Sequence, residues 1–386
     1  MIHNVKKLNF QHFLIRIKNL LLFLVFLLFQ SCNKEVKYVK NIVVTDSIKI
    51  LLREDIINPN SNIQPYWNYN EDLLSFLSNT VNDTIFISTY NLKTRLWKKK
   101  PLSIKGKNQV YSEGAFSHLS NSKIIYFPNI TPRALIINEN GEVVNSYNYS
   151  DGYHLNYFSQ NRNPNIYSND SSFIFDLIEY NSLSNKNTYK NTDLLGIYDY
   201  KKQKLNKIIK YPDEFQNKVW SANDIERNSI VLNNKVYLNF TKSSKIYIYD
   251  LKGNLLKNSK VNFDKIKEAK ERVQNKTRNL LNKENNGFYF KIIYDKWRDI
   301  FYRIAVYYDT NQEIKTMQDL LSVIKKRTIG IIAFDKELKI IAKNKFSTNE
   351  TKISENFYFV NEKGLNLMSY NDIESEELKF ITLTVK

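Results

Sequence analysis

The chain is poor in the residues that build metal sites, disulfides and phosphate-binding loops. Its 386 residues include one Cys, four His, nine Gly and seven Pro. One Cys cannot form an internal disulfide or a cysteine-based zinc site. Two of the four His, His3 and His12, lie close to the N-terminus, so a histidine metal cluster is not expected. No Gly-x-Ser-x-Gly motif or phosphate-cradling glycine loop occurs. We therefore expect no metal, no cofactor and no catalytic signature.

Positive charge is abundant, but its composition does not favour nucleic acid. The formal net charge is +18, and the basic residues are 46 Lys and only 11 Arg. Arg is the residue that binds phosphates and base edges through two parallel hydrogen bonds. Lys, Asn, Ile, Tyr and Phe are together the residue bias of an AT-rich genome. We expect a lysine-rich solvated surface, no nucleic-acid partner, and, from 42% hydrophobic residues, a large core.

Residues 1–31 have the pattern of a secretory signal peptide. The apolar run Leu20–Phe29 follows four basic residues and no acidic one, namely Lys6, Lys7, Arg16 and Lys18. Ten residues are too few to span a bilayer, which needs roughly 20. A membrane-anchor helix is the alternative interpretation. Removal of this leader would reduce the net charge from +18 to +14, because it takes four positive charges.

The leader ends at the single cysteine of the chain. The segment Leu28-Phe-Gln-Ser-Cys32 resembles a loose bacterial lipobox, with a small residue directly before Cys32. Acyl chains on Cys32 would hold the mature protein to a membrane by burying methylenes. This pattern predicts an outer-membrane lipoprotein with residues 32–40 as a tether and residues 41–386 as a single domain. Whether it faces the periplasm or the cell surface is left open by the sequence.

Short β-rich runs recur along residues 41–386 in two types. The first type is an apolar strand, a polar turn seeded by Asn or Asp, and a second strand. Five copies occur, at 84–96, 134–144, 195–205, 245–256 and 329–341, with turn residues Asn91, Asn138, Asp199, Asp250 and Asp335. The second type has six copies, at 67–76, 115–127, 155–175, 230–240, 288–307 and 357–370. The sixth partner can be built from 380–385 and 42–52.

Six pairs of such runs predict an all-β chain that forms a six-bladed β-propeller. One blade is completed by strands from both ends of the domain. An irregular pair of β-sandwiches is the alternative. Asp250 and Asp335 are 85 residues apart, and two amphipathic segments account for that gap: 263–283 and 314–326. We expect both to be short helical insertions near blade five. They could cover a blade edge or form a lid or partner-docking element.

Two segments carry a resemblance to a known family. The run Ile293-Tyr-Asp-Lys-Trp-Arg-Asp-Ile-Phe-Tyr-Arg-Ile304 resembles a strand pair of the uncharacterised propeller-like lipoproteins of the Bacteroidota, with Phe301 in place of a Tyr. The turn Phe127-Pro-Asn-Ile-Thr-Pro-Arg133 is similar as well. The resemblance covers most of residues 40–386. It implies a propeller fold and an envelope location, and it brings no known activity or catalytic residues.

Propellers bind ligands where the loops of the innermost strands converge on the central channel. The candidate ligand-binding residues are aromatic, histidine and arginine side chains placed near those loops: Tyr66, Trp67, Tyr69, His118, Tyr153, His154, Trp220, Arg298 and Arg303. Aromatic faces with Arg and His can stack on sugars or hold carboxylates. Because aromatics make up 14% of the chain, packing is the competing explanation for most of them. Arg298 and Arg303 can share a site only if a turn lies between them.

Two functions remain open. The first is a membrane-anchored envelope lipoprotein whose propeller binds a glycan, peptide or protein partner without catalysis. The second is a propeller enzyme acting on sugar polymers or lactones, for which His118 or His154 is the candidate base. A triad needs one of these two histidines, because His3 and His12 belong to the leader.

Overall fold

Strands make up most of the described chain. The structure is a computed structural model that describes residues 40–52, 64–68, 72–77, 82–106, 109–111, 114–119, 123–128, 131–148, 153–155, 167–168, 172–179, 186–199, 201–220, 225–264, 266–269, 271, 287–308, 327–347, 353–369 and 377–386. These residues belong to one structural unit that covers Lys40–Lys386. Cys32 and the predicted leader and tether up to residue 39 lie outside the described residues.

Blades one to three contain β2 to β14. Blade one has β2 (Gln64–Asn68), β3 (Leu73–Leu77), β4 (Thr84–Asn91) and β5 (Trp97–Ser103). Blade two has β6 (Gly114–His118), β7 (Ile124–Pro128), β8 (Arg133–Ile137) and β9 (Val143–Asn148). Blade three has β10 (Tyr153–Leu155), β11 (Tyr167–Ser168), β12 (Ser172–Glu179), β13 (Asp193–Asp199) and β14 (Lys204–Lys210).

Blades four to six contain the remaining strands. Blade four has β15 (Arg227–Leu232), β16 (Lys235–Phe240), β17 (Lys245–Asp250) and β18 (Leu255–Lys260). Blade five has β19 (Gly287–Asp295), β20 (Ile300–Tyr308), β21 (Arg327–Phe334) and β22 (Ile340–Ser347). Blade six has β23 (Ile353–Asn361), β24 (Gly364–Ser369), β25 (Glu377–Val385) and β1 (Ile42–Leu51).

The strand pairing confirms the predicted six-bladed β-propeller. Blades one, two, four and five are antiparallel sheets in which consecutive strands are neighbours, and in blade three both β10 and β11 pair with β12. Blade six has the order β1-β25-β24-β23, so its outermost strand comes from the start of the domain. The register runs from Ile42 opposite Val385 to Leu51 opposite Glu377. The pairing of residues 42–52 with residues 380–385 that the sequence predicted is therefore confirmed.

Helix is a minor component of the described residues. One α-helix, α1 (Lys186–Asn191), and one 3₁₀ turn (Asp213–Phe215) occur there. Of the predicted insertion 263–283, residues 263, 264, 266–269 and 271 are described, and none of them is helical. The rest of that segment and the whole of 314–326 lie outside the described residues.

The turn between the third and fourth strands is built in the same way in five blades. The side-chain Oδ1 of one Asn or Asp accepts two backbone N–H bonds of 2.8–3.0 Å from residues two to four positions later. These residues are the ones predicted from the sequence: Asn91, Asn138, Asp199, Asp250 and Asp335. Asn and Asp favour such turns because their short side chains reach their own backbone.

The outermost strand of a blade contacts this turn in the following blade. Lys100 Nζ on β5 donates to Asn138 O at 2.8 Å, and Lys257 on β18 pairs with Glu337 at 2.9 Å. Gly141 has φ +85°, and a Cβ there would overlap the carbonyl oxygen of Pro101 on β5. The glycine is therefore required both by its positive φ and by the closeness of the neighbouring blade.

The core consists of six apolar clusters, one at each boundary between adjacent blades. Between blades two and three, for example, the rings of Phe127 and Phe173 lie 5.6 Å apart edge to face. Each fully buried Phe contributes roughly 1.5–3 kcal/mol relative to an exposed one. Such wedges of aromatic and branched side chains explain why the chain needs so many Tyr and Phe.

The two ends of the strands differ in their connections. At one end, here called the turn face, the first and second strands and the third and fourth strands are joined by short turns. At the other end, the loop face, lie the remaining connections, whose described parts include 211–220, 241–244 and 261–264. The innermost strands of the six blades run from the loop face to the turn face.

Candidate functional site

Buried and half-buried polar side chains from four consecutive blades cluster around the innermost strands. Asp176 on β12 of blade three accepts a 2.9 Å hydrogen bond from the hydroxyl of Ser229 on β15 of blade four. Lys291 on β19 of blade five has its Nζ 5.1 Å from the ring centre of Tyr358 on β23 of blade six. The charge of Lys291 acts on the carboxyl of Asp176. We call these four residues the inner cluster.

Asp176 lies where the innermost strand of blade three is divided. Residues 153–155 of β10 pair with Leu177–Glu179, and residues 167–168 of β11 pair with Phe173 and Ile174. Asp176 is thus opposite neither piece. Its exposed fraction is 3%, and burial raises the pKa of Asp176 to about 6. The charges of Arg227 and Lys291 and the hydrogen bond from Ser229 oppose that shift.

Lys291 occupies an irregular position in its strand. The pairing of β19 with β20 shifts between Tyr289 and Lys291, and such a bulge re-aims the side chains that follow it. The exposed fraction of Lys291 is 1%. A carboxylate, a hydroxyl, an ammonium and an aromatic ring together can accept and donate hydrogen bonds and stack on a ligand ring. Together they place polar groups of opposite charge beside one aromatic face.

His118 forms a separate contact between blades one and two. It ends the innermost strand of blade two, and its Nε2 lies 2.9 Å from the Oγ of Ser75 on β3. The hydroxyl of Ser75 also lies 2.9 Å from that of Thr89. Burial and then the charge of Lys100 lower the pKa of His118 to about 4. The imidazole is therefore neutral at physiological pH, and its Ser75 neighbour is fully buried.

Arg303 lies inside the protein between blades four and five. It is fully buried on β20, and its guanidinium donates to the Oδ1 of Asn239 and to backbone carbonyls of residues 243, 244 and 261. Its Cζ lies 3.4 Å from the ring centre of Tyr289. Burial lowers the pKa of Arg303 to about 10. The side chain thus joins two blades.

Arg298 performs a similar task between blades five and six. It lies in the turn between β19 and β20, so a turn does separate it from Arg303. Its guanidinium pairs with the buried Asp295 at 3.0 Å and donates to Glu362 O at 2.6 Å. The two arginines therefore bind different blade boundaries and do not share a site.

The remaining predicted residues are spread around the ring. Trp220 is buried in the cluster between blades three and four, where its Nε1 donates to Phe215 O at 2.7 Å. Tyr66 and Trp67 lie on β2 and Tyr153 and His154 on β10, both innermost strands, but their side chains lie outside what the structure describes. Tyr69 also lies outside the described residues. The described candidates are thus not brought together.

The sequence reasoning missed the inner cluster, although a signal for it exists. Asp176 is the single charged residue in Phe173-Ile-Phe-Asp-Leu-Ile178, and Lys291 is the single charged residue in Phe288-Tyr-Phe-Lys-Ile-Ile293. A lone charge in an otherwise apolar strand indicates a buried ionisable group. In the part of the chain that the structure describes, no three His, Cys, Asp or Glu side chains form a metal-binding group. No helix there is long and apolar enough to cross a membrane.

Known proteins are similar to the chain at the level of fold. A family model named Domain of unknown function (DUF4221) matches residues 40–345. A solved DUF4221 structure from Bacteroides vulgatus ATCC 8482 has a TM-score of 0.74 at 17% identity, covering 91% of this chain and 99% of that one. A protein of unknown function from Bacteroides caccae has a TM-score of 0.40 at 10% identity, with 81% and 93% covered. No curated protein matches.

The matched residues run from the strand that closes blade six to the outermost strand of blade five, so they contain most of the ring described above. The resemblance seen in the sequence is thereby confirmed for family and fold. The chain belongs to the DUF4221 family.

Proposed function

We propose that the protein is a membrane-anchored lipoprotein of the cell envelope whose propeller binds a small polar ligand at the inner cluster. The observation that carries the binding proposal is the burial of Asp176 and Lys291 within the otherwise apolar segments 173–178 and 288–293 of their strands. Burying an ionisable group costs stability, and such costs concentrate at functional sites. The anchoring proposal rests on the leader and on Cys32.

The geometry favours a glycan over a purely apolar ligand. Asp176 and Ser229 offer acceptors and a hydroxyl, Lys291 offers a donor, and Tyr358 offers a ring face. Sugars present several hydroxyls around an apolar ring face, and they are bound through such mixed surroundings. Peptide or protein partners bound at the loop face remain part of the proposal.

Binding is tested by titration calorimetry of the wild type against a panel of neutral and acidic glycans and short peptides. Lys291→Met and Asp176→Asn are the site variants, and Lys260→Met on the exposed β18 is the matched control. We expect binding that both site variants lose at least tenfold and that the control retains. Binding that Lys291→Met and Asp176→Asn leave intact would remove the inner cluster from the proposal.

Anchoring is tested by fractionation of cells that express the wild type or Cys32→Ala. We expect the wild type in the membrane fraction and the variant outside it or unprocessed. If Cys32→Ala matures normally and still fractionates with membranes, the lipid anchor is wrong. Protease treatment of whole cells then distinguishes the cell surface from the periplasm.

One contact favours the alternative, an enzyme acting on sugar polymers or lactones. The 2.9 Å distance between Ser75 Oγ and His118 Nε2 is that of a nucleophile and its base. Labelling with a fluorophosphonate probe, with Ser75→Ala and Ser117→Ala as paired variants, tests this reading. Labelling lost only in Ser75→Ala would support an enzyme, and an unlabelled wild type would not.

A further inference from the structure

The outermost strands of the six blades differ in charge. Five of them carry charged side chains: Lys98, Lys99 and Lys100 on β5, Lys204, Lys207 and Lys210 on β14, Lys257 and Lys260 on β18, Lys343 and Lys345 on β22, and Asp46 and Lys49 on β1. Lysine on an edge strand is a device that opposes pairing with another chain, because charge and a long side chain disfavour a second strand.

The outermost strand of blade two lacks this protection. β9 has the sequence Val143-Val-Asn-Ser-Tyr-Asn148, without a charged residue or a proline. Its Val144 is 52% exposed, and Asn145 and Ser146 are exposed as well. β9 ends the sheet order β6-β7-β8-β9, and within the described residues no strand pairs with its outer side. The Ser146 N–H donates to the Oδ1 of its neighbour Asn145 at 2.8 Å, a local bond that an incoming strand would replace. The sheet therefore ends at a strand against which another strand can pair.

A general lysine bias does not explain the exception. The bias supplies lysine to the outermost strands of the other five blades, and it is β9 that departs from it. The turn before β9 also lacks lysine, and it contains the acidic residues Glu139 and Glu142. Among the outermost strands and adjoining turns that the structure describes, blade two is thus the one where a second copy of this basic protein meets no lysine.

We propose that β9 is a pairing edge through which two copies of this chain associate, strand against antiparallel strand, about a two-fold axis. Antiparallel pairing of β9 with itself places only Val, Asn, Ser and Tyr side chains opposite one another. A two-fold arrangement needs one self-complementary surface, which an uncharged strand edge provides. The net charge of +18 disfavours association through any lysine-bearing edge.

The association is weak in free solution. Six residues of strand pairing bury much less than the roughly 1,200–2,000 Å² of a stable interface. Membrane anchoring would raise the effective concentration of one copy around another, and this step alone rests on the proposed function. Strand pairing itself does not depend on the anchor.

Sedimentation velocity of the full-length protein in detergent, across a concentration series, tests the proposal. We expect a concentration-dependent dimer for the wild type and a monomer for Asn145→Lys/Ser146→Lys. The matched control is Asn258→Lys, an exposed Asn on β18 whose strand already bears lysine, and it should dimerise like the wild type. A wild type that stays monomeric at every concentration overturns the proposal, as does a double variant that still dimerises.

Oxidative cross-linking gives a second readout that does not depend on folding of the charged variants. In a Cys32→Ala background the chain has no other cysteine, so Asn145→Cys and Asn258→Cys each introduce a single thiol. Disulfide dimers should form at least tenfold faster for Asn145→Cys, and equal rates contradict β9 pairing. If Cys32→Ala changes fractionation but not sedimentation, the anchor is supported independently of the edge. If Cys32→Ala changes sedimentation but not fractionation, the anchor is contradicted, and the β9 edge is then judged from the variants of Asn145 and Ser146.

Discussion

The Nε of Arg303 in blade five donates a 2.8 Å hydrogen bond to the Oδ1 of Asn239 in blade four. Both residues are buried, and the remaining guanidinium nitrogens bind backbone carbonyls of blade four and of the segment that follows it. A closed ring of six blades requires stable boundaries between the blades. At this boundary one cation donates to the backbone carbonyls of three buried residues.

Replacing Arg303 is expected to be among the more damaging single changes. Arg303→Met should lower the free energy of unfolding by about 3–5 kcal/mol, because it leaves buried carbonyl groups and Asn239 without a donor. Urea denaturation followed by circular dichroism measures this loss. The matched control Arg95→Met, at an exposed turn position, should change stability by about 0.5 kcal/mol or less. Equal effects of the two substitutions would contradict the joining role of Arg303.

The coupling between Arg303 and Asn239 can be measured directly. A double-mutant cycle of Arg303→Met and Asn239→Leu should give a coupling free energy of about 1–3 kcal/mol, since residues in one buried network are not additive. The two residues act independently if the double variant simply adds the two single losses.

Asp176 is expected to make stability fall as the pH rises. Its pKa in the folded protein is about 6, against 3.8 for the ordinary group, so between these values only the folded state keeps the proton. The contribution is fully present below pH 3.8 and is lost as the pH rises through about 6. Relative to the wild type, Asp176→Asn should therefore gain about 2 kcal/mol of stability between pH 4 and pH 7. Chemical denaturation of both proteins over this range measures the difference, and a flat difference would contradict it.

His118 is expected to act in the opposite direction. Its folded pKa is about 4 against 6.5, so the unfolded state binds the proton more readily between these values. The stability that the neutral imidazole contributes is present above pH 6.5 and is lost as the pH falls through about 4. His118→Asn should lose less stability than the wild type on acidification from pH 7 to pH 4.5. Proton NMR of the imidazole should show no titration near pH 6.5.

Gly141 tests the contact between blades one and two. Gly141→Ala combines a positive φ with a clash against the Pro101 carbonyl, whereas Gly106→Ala has a similar φ of +90° and open space around the new Cβ. Backbone strain alone costs about 1–3 kcal/mol. We expect Gly141→Ala to lower the melting temperature clearly more than Gly106→Ala. Equal losses would mean that the clash is relieved by a small shift of β5.

The sequence predicted the fold well because the repeated element has a strong local signal. Each third-to-fourth turn needs an Asn or Asp whose side chain binds its own backbone, and that requirement is visible at Asn91, Asn138, Asp199, Asp250 and Asp335. Alternation of apolar runs around these turns then gives the number of strands. The missing strand of blade six followed from counting.

The positions of the candidate site residues in the fold could not be predicted from the sequence for a physical reason. Arg298, Arg303 and Trp220 were singled out for their chemical type, but in the fold each packs at a boundary between blades. Which boundary a strand residue faces depends on tertiary packing and on bulges, such as the one between Tyr289 and Lys291. Asp176 and Lys291 come from different blades, so no local pattern joins them. Only the isolation of each charge in its strand was visible in advance.

The pairing of β1 with β25 has a consequence for synthesis of the chain. Ile42 can pair with Val385 only after almost all of the polypeptide has been synthesised. Until then the first strand of the domain has no lasting partner. Loop closure over such a separation is slow, since its entropy must be lost before the contact is gained. An incomplete polypeptide therefore exposes two open sheet edges, and a premature stop within blade six would leave a molecule prone to aggregation rather than a smaller functional one.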